Sequence, residues 1–182
     1  GIPQNFGSNY KFGKGDHFVI EGDEYDTAFF DKKAKFFHYN PTYTALTSLE
    51  FDHADIYPDF ATIKETFEEY AASVNPEGVL AYCADYPVLH EVVTHSKAPV
   101  ISFGFSPHAD LRAEDVVSGP FGTTFDLVEG RTRLGKVTTD LSGHHNVLNA
   151  LAAVAVTRAA GLDISAIISG LATYKGVMRR FQ

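Results

Sequence analysis

Two acidic clusters and one His-Asn run hold the residue types from which this 182-residue chain could build chemistry. The first cluster, Glu21 and Asp23, follows the apolar run His17–Ile20 (HFVI); the second, Glu50, Asp52, His53 and Asp55, follows the apolar run Tyr43–Leu49. A strand that ends in carboxylates and an imidazole can hold a divalent cation. Oxygen donors suit Mg²⁺, whereas His53 as a ligand suits Mn²⁺ or a tolerant Mg²⁺ site. The alternative is that these are loop charges facing water. The third feature is Gly143-His144-His145-Asn146-Val147-Leu148-Asn149 at a helix start. His145 and Asn149 are four apart and Asn146 and Asn149 three apart, so they share one flank of the first turns. Amide side chains offer donors and an acceptor, which suits a nucleobase edge, and helix capping accounts for the same spacing equally well. Arg179-Arg180 carries guanidinium forks that match phosphate oxygens, or is simply a solvated pair. No G-x-x-x-x-G-K-[ST] occurs, and the G-x-G at Gly13–Gly15 is too short to replace it, so these residues contain no phosphate-cradling loop. No Ser/His/Asp arrangement stands out among the eight histidines.

The elements that must position these residues read as follows. Residues 1–16 are a Gly-, Asn- and Lys-rich loop; His17–Ile20 is a short strand and Tyr43–Leu49 a second. Pro58–Asp59 opens a helix to about Val74, with Phe60, Ile63, Phe67, Tyr70 and Ala71 on one face. Strand Gly78–Ala84, a helix begun by Pro87 and strand Pro99–Phe105 complete an alternation that predicts a parallel sheet covered by helices. Three short strand-like runs in residues 113–139, punctuated by glycines, predict a small appended antiparallel sheet. Two helices follow, His144–Ala160, ended by Gly161, and Ile164–Tyr174, capped by Asp163. The predicted class is α/β.

Composition sets the outer limits. The length suits one domain with a proper core. With 15 basic against 23 acidic side chains the net charge is −8, which argues against gripping nucleic acid or an anionic membrane by bulk charge. A single cysteine, Cys83, excludes a disulfide framework and a Cys-rich zinc module, and the cytoplasm is the expected compartment. No run reaches the roughly 18 apolar residues that a membrane span needs.

The runs FVIEGDEYDTAFFDKKAKFFHYNP, TSLEFDHADIY, GHHNVLNALAAVAV and GVMRRFQ, in that order, resemble the central domain of the Mur ligases, the ATP-dependent amide-forming enzymes of peptidoglycan assembly. The resemblance covers essentially the whole chain. It implies a P-loop-type central domain over residues 1–174 whose P-loop precedes Gly1, and a hinge, residues 175–182, to a further C-terminal domain. It also implies an N-terminal domain that binds the UDP-sugar. These 182 residues alone are then expected to lack ligase and ATPase activity.

Carried over by position, the family's metal-binding Glu matches Glu21 and its metal-binding His matches His53. The adenine-contacting His-Asn matches His145 and Asn146, with Asn149 as the second Asn, and the hinge Arg near the nucleotide phosphates matches Arg180. The implied cofactors are ATP and Mg²⁺, with Mn²⁺ as an option. Two departures stand out. Several members carry a carbamylated lysine where this chain has Glu68, with Lys64 the nearest lysine, and Ser48 stands where many have Asn. The run EYDTAFFDKKAKFFHY follows the pattern of the peptide-recycling branch rather than that of the L-alanine-adding branch. The implied substrates are UDP-N-acetylmuramate and the murein tripeptide L-alanyl-γ-D-glutamyl-meso-diaminopimelate, joined through an acyl phosphate. A non-catalytic nucleotide-binding module of the same fold is the competing class.

Overall fold

The computed structural model of the chain describes residues 2–25, 33–51 and 57–178. Strand β1 (Ile2–Pro3) lies near the start, and β2 (Tyr43–Leu46) opens the alternation read from the sequence. It continues with α1 (Phe60–Ser73), β3 (Val79–Cys83), α2 (Pro87–Val92) and β4 (Val100–Gly104). Three long strands follow, β5 (Leu111–Gly119), β6 (Gly122–Glu129) and β7 (Thr132–Thr139), then α3 (His144–Ala159), α4 (Ile164–Thr173) and the short β8 (Val177–Met178). One six-stranded sheet runs in the order β2-β3-β4-β5-β6-β7. Its first three pairings are parallel and its last two antiparallel. The expected antiparallel meander therefore continues the parallel sheet through β5. A separate antiparallel pair joins β1 to β8, with Ile2 opposite Met178.

Leu80 and Ala81, neighbours on β3, are both fully buried, and because successive side chains point to opposite faces, both faces of the sheet are covered. Helix α1 lies on the Thr44 face, where Thr44 Oγ1 and Tyr70 OH are 2.8 Å apart. It buries Ile63, Phe67, Tyr70 and Ala71, the stripe predicted from spacing, while Phe60 at its start remains exposed. Helix α3 lies across β2, β3, β4 and β5, and α4 lies on β7. The buried residues of α3 are half alanine (Ala150, Ala152, Ala155) and half larger apolar side chains (Val147, Leu151, Val154). On β7 a close approach is made by Gly135, where a Cβ would come within 2.8 Å of Ile168 Cδ1 on α4.

The predicted Asp163 cap forms, and Asp59, read as opening α1, caps that helix in the same way. Asp59 Oδ1 accepts from Thr62 N at 2.8 Å, and Asp163 Oδ1 accepts from Ser165 N at 2.8 Å. Hydrogen bonds to Thr62 and to Ser165 hold these carboxyls below the usual carboxylate range. A depressed native pKa contributes stability above the unfolded pKa, and that contribution disappears as pH falls through the native value. Asp59→Ala is therefore expected to lower the melting temperature at neutral pH, and the gap from wild type should close as the buffer is taken toward pH 3. Thermal melts across that range check it.

The structure differs from the sequence reading at His17–Ile20. These residues form no strand, and Phe18 and Val19 are 87% and 91% exposed. An apolar run forms a strand only where a neighbouring strand supplies the ladder. Here His17 makes a ring contact with Tyr43 of β2, at 6.4 Å between centroids, and the run has no place in either sheet. The second strand also stops earlier than expected, at Leu46.

Candidate functional site

The carboxyl ends of parallel strands gather ligands in open α/β sheets, and of the singled-out carboxylates Glu50 falls there, after β2. After β2, residues Ser48, Leu49, Glu50 and Phe51 line an open pocket of about 350 Å³, together with Glu24 and with Ile63 and Phe67 of α1. Its polar lining is carboxylate and hydroxyl oxygen, a donor set that fits a hard divalent cation such as Mg²⁺. Glu21 is exposed and is not among the residues that line this pocket. Asp23 is engaged otherwise: it accepts from Tyr25 N at 2.9 Å and pairs with Lys35 Nζ at 3.2 Å. Tyr57 OH donates to the Glu24 carbonyl at 3.2 Å, so residues 23–25 are held to the body of the domain. Burial and the nearby Glu24 raise the Tyr57 pKa. Burial, then the Glu50 carboxylate, does the same for Tyr86 after β3. Both phenols therefore remain neutral donors at neutral pH. Asp52, His53, Asp55 and Arg180 lie outside the described residues. Among the described residues no three His, Cys, Asp or Glu side chains cluster as metal ligands do.

Glu68 lines a different depression with Glu65, Glu69 and His95. Lys64 pairs with Glu91 at 2.5 Å and Glu68 at 3.4 Å, and the Glu91 hydrogen bond raises its pKa. Lys64 is thus engaged by two carboxylates.

The start of α3 is the second part of the site. Gly143 adopts φ +97, and a Cβ there would sit 2.9 Å from His145 Cε1, so the exposed His145 ring lies against a position that only glycine leaves open. Asn146 Nδ2 donates to the Ser142 carbonyl at 2.8 Å, and Asn149 is exposed one turn further on. No side-chain oxygen caps the helix. Of the two accounts of the run, the capping one fails for this end, because Asn146 donates to a carbonyl instead of accepting from the orphan amides. Two supports hold the turn. Ser118 Oγ, at the end of β5, accepts from Gly143 N at 3.2 Å, and the Phe105 ring, just past β4, packs on His144 at 5.0 Å between centroids.

Spacing along the chain could not reveal these supports. Ser118 lies 25 residues from Gly143, and Phe105 belongs to a different strand end. Cys83 is fully buried, which raises its pKa and keeps it a thiol.

The family model for the Mur ligase middle domain matches residues 1–157. The chain belongs to the Mur ligase family. A UDP-N-acetylmuramate–L-alanine ligase from Salinibacter ruber is 39% identical over 97% of this chain and 36% of its own length. The crystal structure of a UDP-N-acetylmuramate:L-alanyl-γ-D-glutamyl-meso-diaminopimelate ligase from Neisseria meningitides is 36% identical, with a TM-score of 0.84 over 98% of this chain and 57% of that one. A murein peptide ligase from Psychrobacter arcticus is 27% identical, with a TM-score of 0.74 over 96% of this chain and 36% of that one. The chain thus spans less than two fifths of the length of the curated relatives it matches. The fold is that of a Mur ligase middle domain, mixed and mostly parallel, and ATP is the family's nucleotide. Among the described residues, no helix of this Mur ligase domain is long and apolar enough to cross a membrane.

Proposed function

We propose that the whole protein is an ATP-dependent ligase that joins the murein tripeptide to UDP-N-acetylmuramate in peptidoglycan recycling. The observation that carries this reading is the likeness to the Neisseria peptide ligase, at 36% identity and a TM-score of 0.84 over nearly the entire chain. The lactoyl carboxylate of UDP-N-acetylmuramate attacks the γ-phosphorus of ATP, and ADP leaves. The tripeptide amine then attacks the acyl phosphate, and phosphate and a proton depart. Such chemistry asks the protein to neutralise and orient oxygens rather than to bond to them.

In this reading Glu21 and His53 hold the Mg²⁺ ion, whose bound form supplies positive charge to the transferring phosphoryl and the substrate carboxylate. His145 and Asn146 place the adenine, Asn149 extends the same helix flank, and Arg180 offsets phosphate charge. The phosphate-cradling loop and the amine-binding domain belong to other parts of the longer polypeptide, with residues 175–182 as the hinge to the latter.

L-Alanine as the amine is the second reading, favoured by the names of relatives 34–39% identical to this chain. A phosphate-release assay on the full-length protein separates the two. With ATP and UDP-N-acetylmuramate present, L-alanyl-γ-D-glutamyl-meso-diaminopimelate is expected to give at least about tenfold higher kcat/KM than L-alanine, a difference of about 1.4 kcal/mol in transition-state binding. A preference for free L-alanine assigns the protein to the other branch.

A further inference from the structure

We propose that Asp85 is a positioning residue for the nucleotide site: its carboxylate fixes the loop after β4, and that loop, through Phe105, sets the first turn of α3. The inference rests on the reading of that turn, with His145 and Asn146, as the place of the adenine.

Asp85 lies two residues past β3. Its Oδ2 accepts from Phe105 N at 2.8 Å and its Oδ1 from Ser106 N at 3.0 Å. One carboxylate thus takes two successive amides of the neighbouring strand's loop, one on each oxygen, and both bonds are charge-assisted. Gly104 makes the approach possible. A Cβ there would lie 2.8 to 2.9 Å from all three atoms of the carboxyl group. The orientation imposed on residues 105 and 106 reaches α3 directly, because the Phe105 ring packs on His144, the helix's first residue, with 46° between the planes.

The clamp has little else to do. Asp85 is exposed, so it fills no core space, and β3 and β4 are already joined by their own ladder. What it adds is a fixed direction for the Phe105 ring. A carboxylate is required because both partners are donors, and an asparagine would turn an NH₂ group toward one of them.

The test uses Asp85→Asn, Gly104→Ala and the reference variant His145→Ala in the full-length enzyme. Asp85→Asn is expected to raise KM for ATP about tenfold, the scale of one charge-assisted hydrogen bond, with kcat changed less than about threefold. Gly104→Ala, which displaces the carboxylate without removing it, should shift KM the same way. In selectively labelled protein the Phe105 and Ser106 amide signals should move upfield, and the His144 ring signals should shift as the Phe105 ring current moves away. An unchanged KM in Asp85→Asn beside a raised KM in His145→Ala overturns the positioning role. Unmoved His144 signals in Asp85→Asn overturn the coupling itself, whatever the turn binds. A normal KM in His145→Ala overturns the adenine reading and leaves the spectral test of the coupling standing.

Discussion

Replacing Glu21 or His53 with alanine in the full-length protein is expected to lower kcat by at least about 100-fold at saturating Mg²⁺, while the melting temperature barely moves. The size follows from the proposed metal-holding role: partners one step removed from a metal already cost about 10- to 100-fold, and direct ligands cost no less. The unchanged stability follows from place. Glu21 is exposed and has no part in the core, and surface changes of that kind are usually within about 0.5 kcal/mol. Steady-state kinetics beside a thermal melt check both halves. A Glu21→Ala enzyme with near-normal kcat would return both acidic clusters to plain solvated loops.

The largest expected effect on stability belongs to Gly78. A Cβ on this residue would stand 1.8 Å from the Thr42 carbonyl oxygen and 2.7 Å from its carbon. That same carbonyl accepts from Val79 N at 2.9 Å, at the first rung between β2 and β3. The clashing atoms are backbone, so no side chain can swing aside; the two strands must part where the sheet begins. Gly78→Ala is expected to cost about 3 kcal/mol, the upper range for overpacking. For a domain of this size that is a fall in melting temperature of roughly 6–12 °C. A melting temperature within 2 °C of wild type would show that the β2 edge gives way freely.

Much of this fold was legible because its signals are local. Asp59 and Asp163 announce the two helices they cap, Pro87 opens a third, and the spacing of Ile63, Phe67 and Tyr70 draws the buried stripe of α1. His17–Ile20 misled for the same reason: an apolar run describes what a segment would do beside a strand, and says nothing of whether that strand is there. The site divides similarly. His145, Asn146 and Asn149 were readable as neighbours on one helix. Their supports were not, since Phe105 and Ser118 reach the α3 turn from distant strand ends, and Asp85 acts on it only through Phe105. Nor could spacing tell that Asp23 would spend its carboxylate on Lys35 while its neighbour Glu24 came to line the pocket.

The pairing of β1 with β8 gives the domain a mechanical character. Ile2 faces Met178 in an antiparallel ladder only two residues long, backed by Asn5, whose Nδ2 donates to the Thr173 carbonyl and whose Oδ1 accepts from Lys175 N. The polypeptide therefore enters and leaves this domain side by side. A pull on the two flanking segments loads that short ladder in the unzipping direction, where its bonds break one after another instead of sharing the force. The six-stranded sheet sits outside the line of tension. A ladder this short opens under a smaller load than the six-stranded sheet, so the clasp would give way first and leave the sheet's pairings intact.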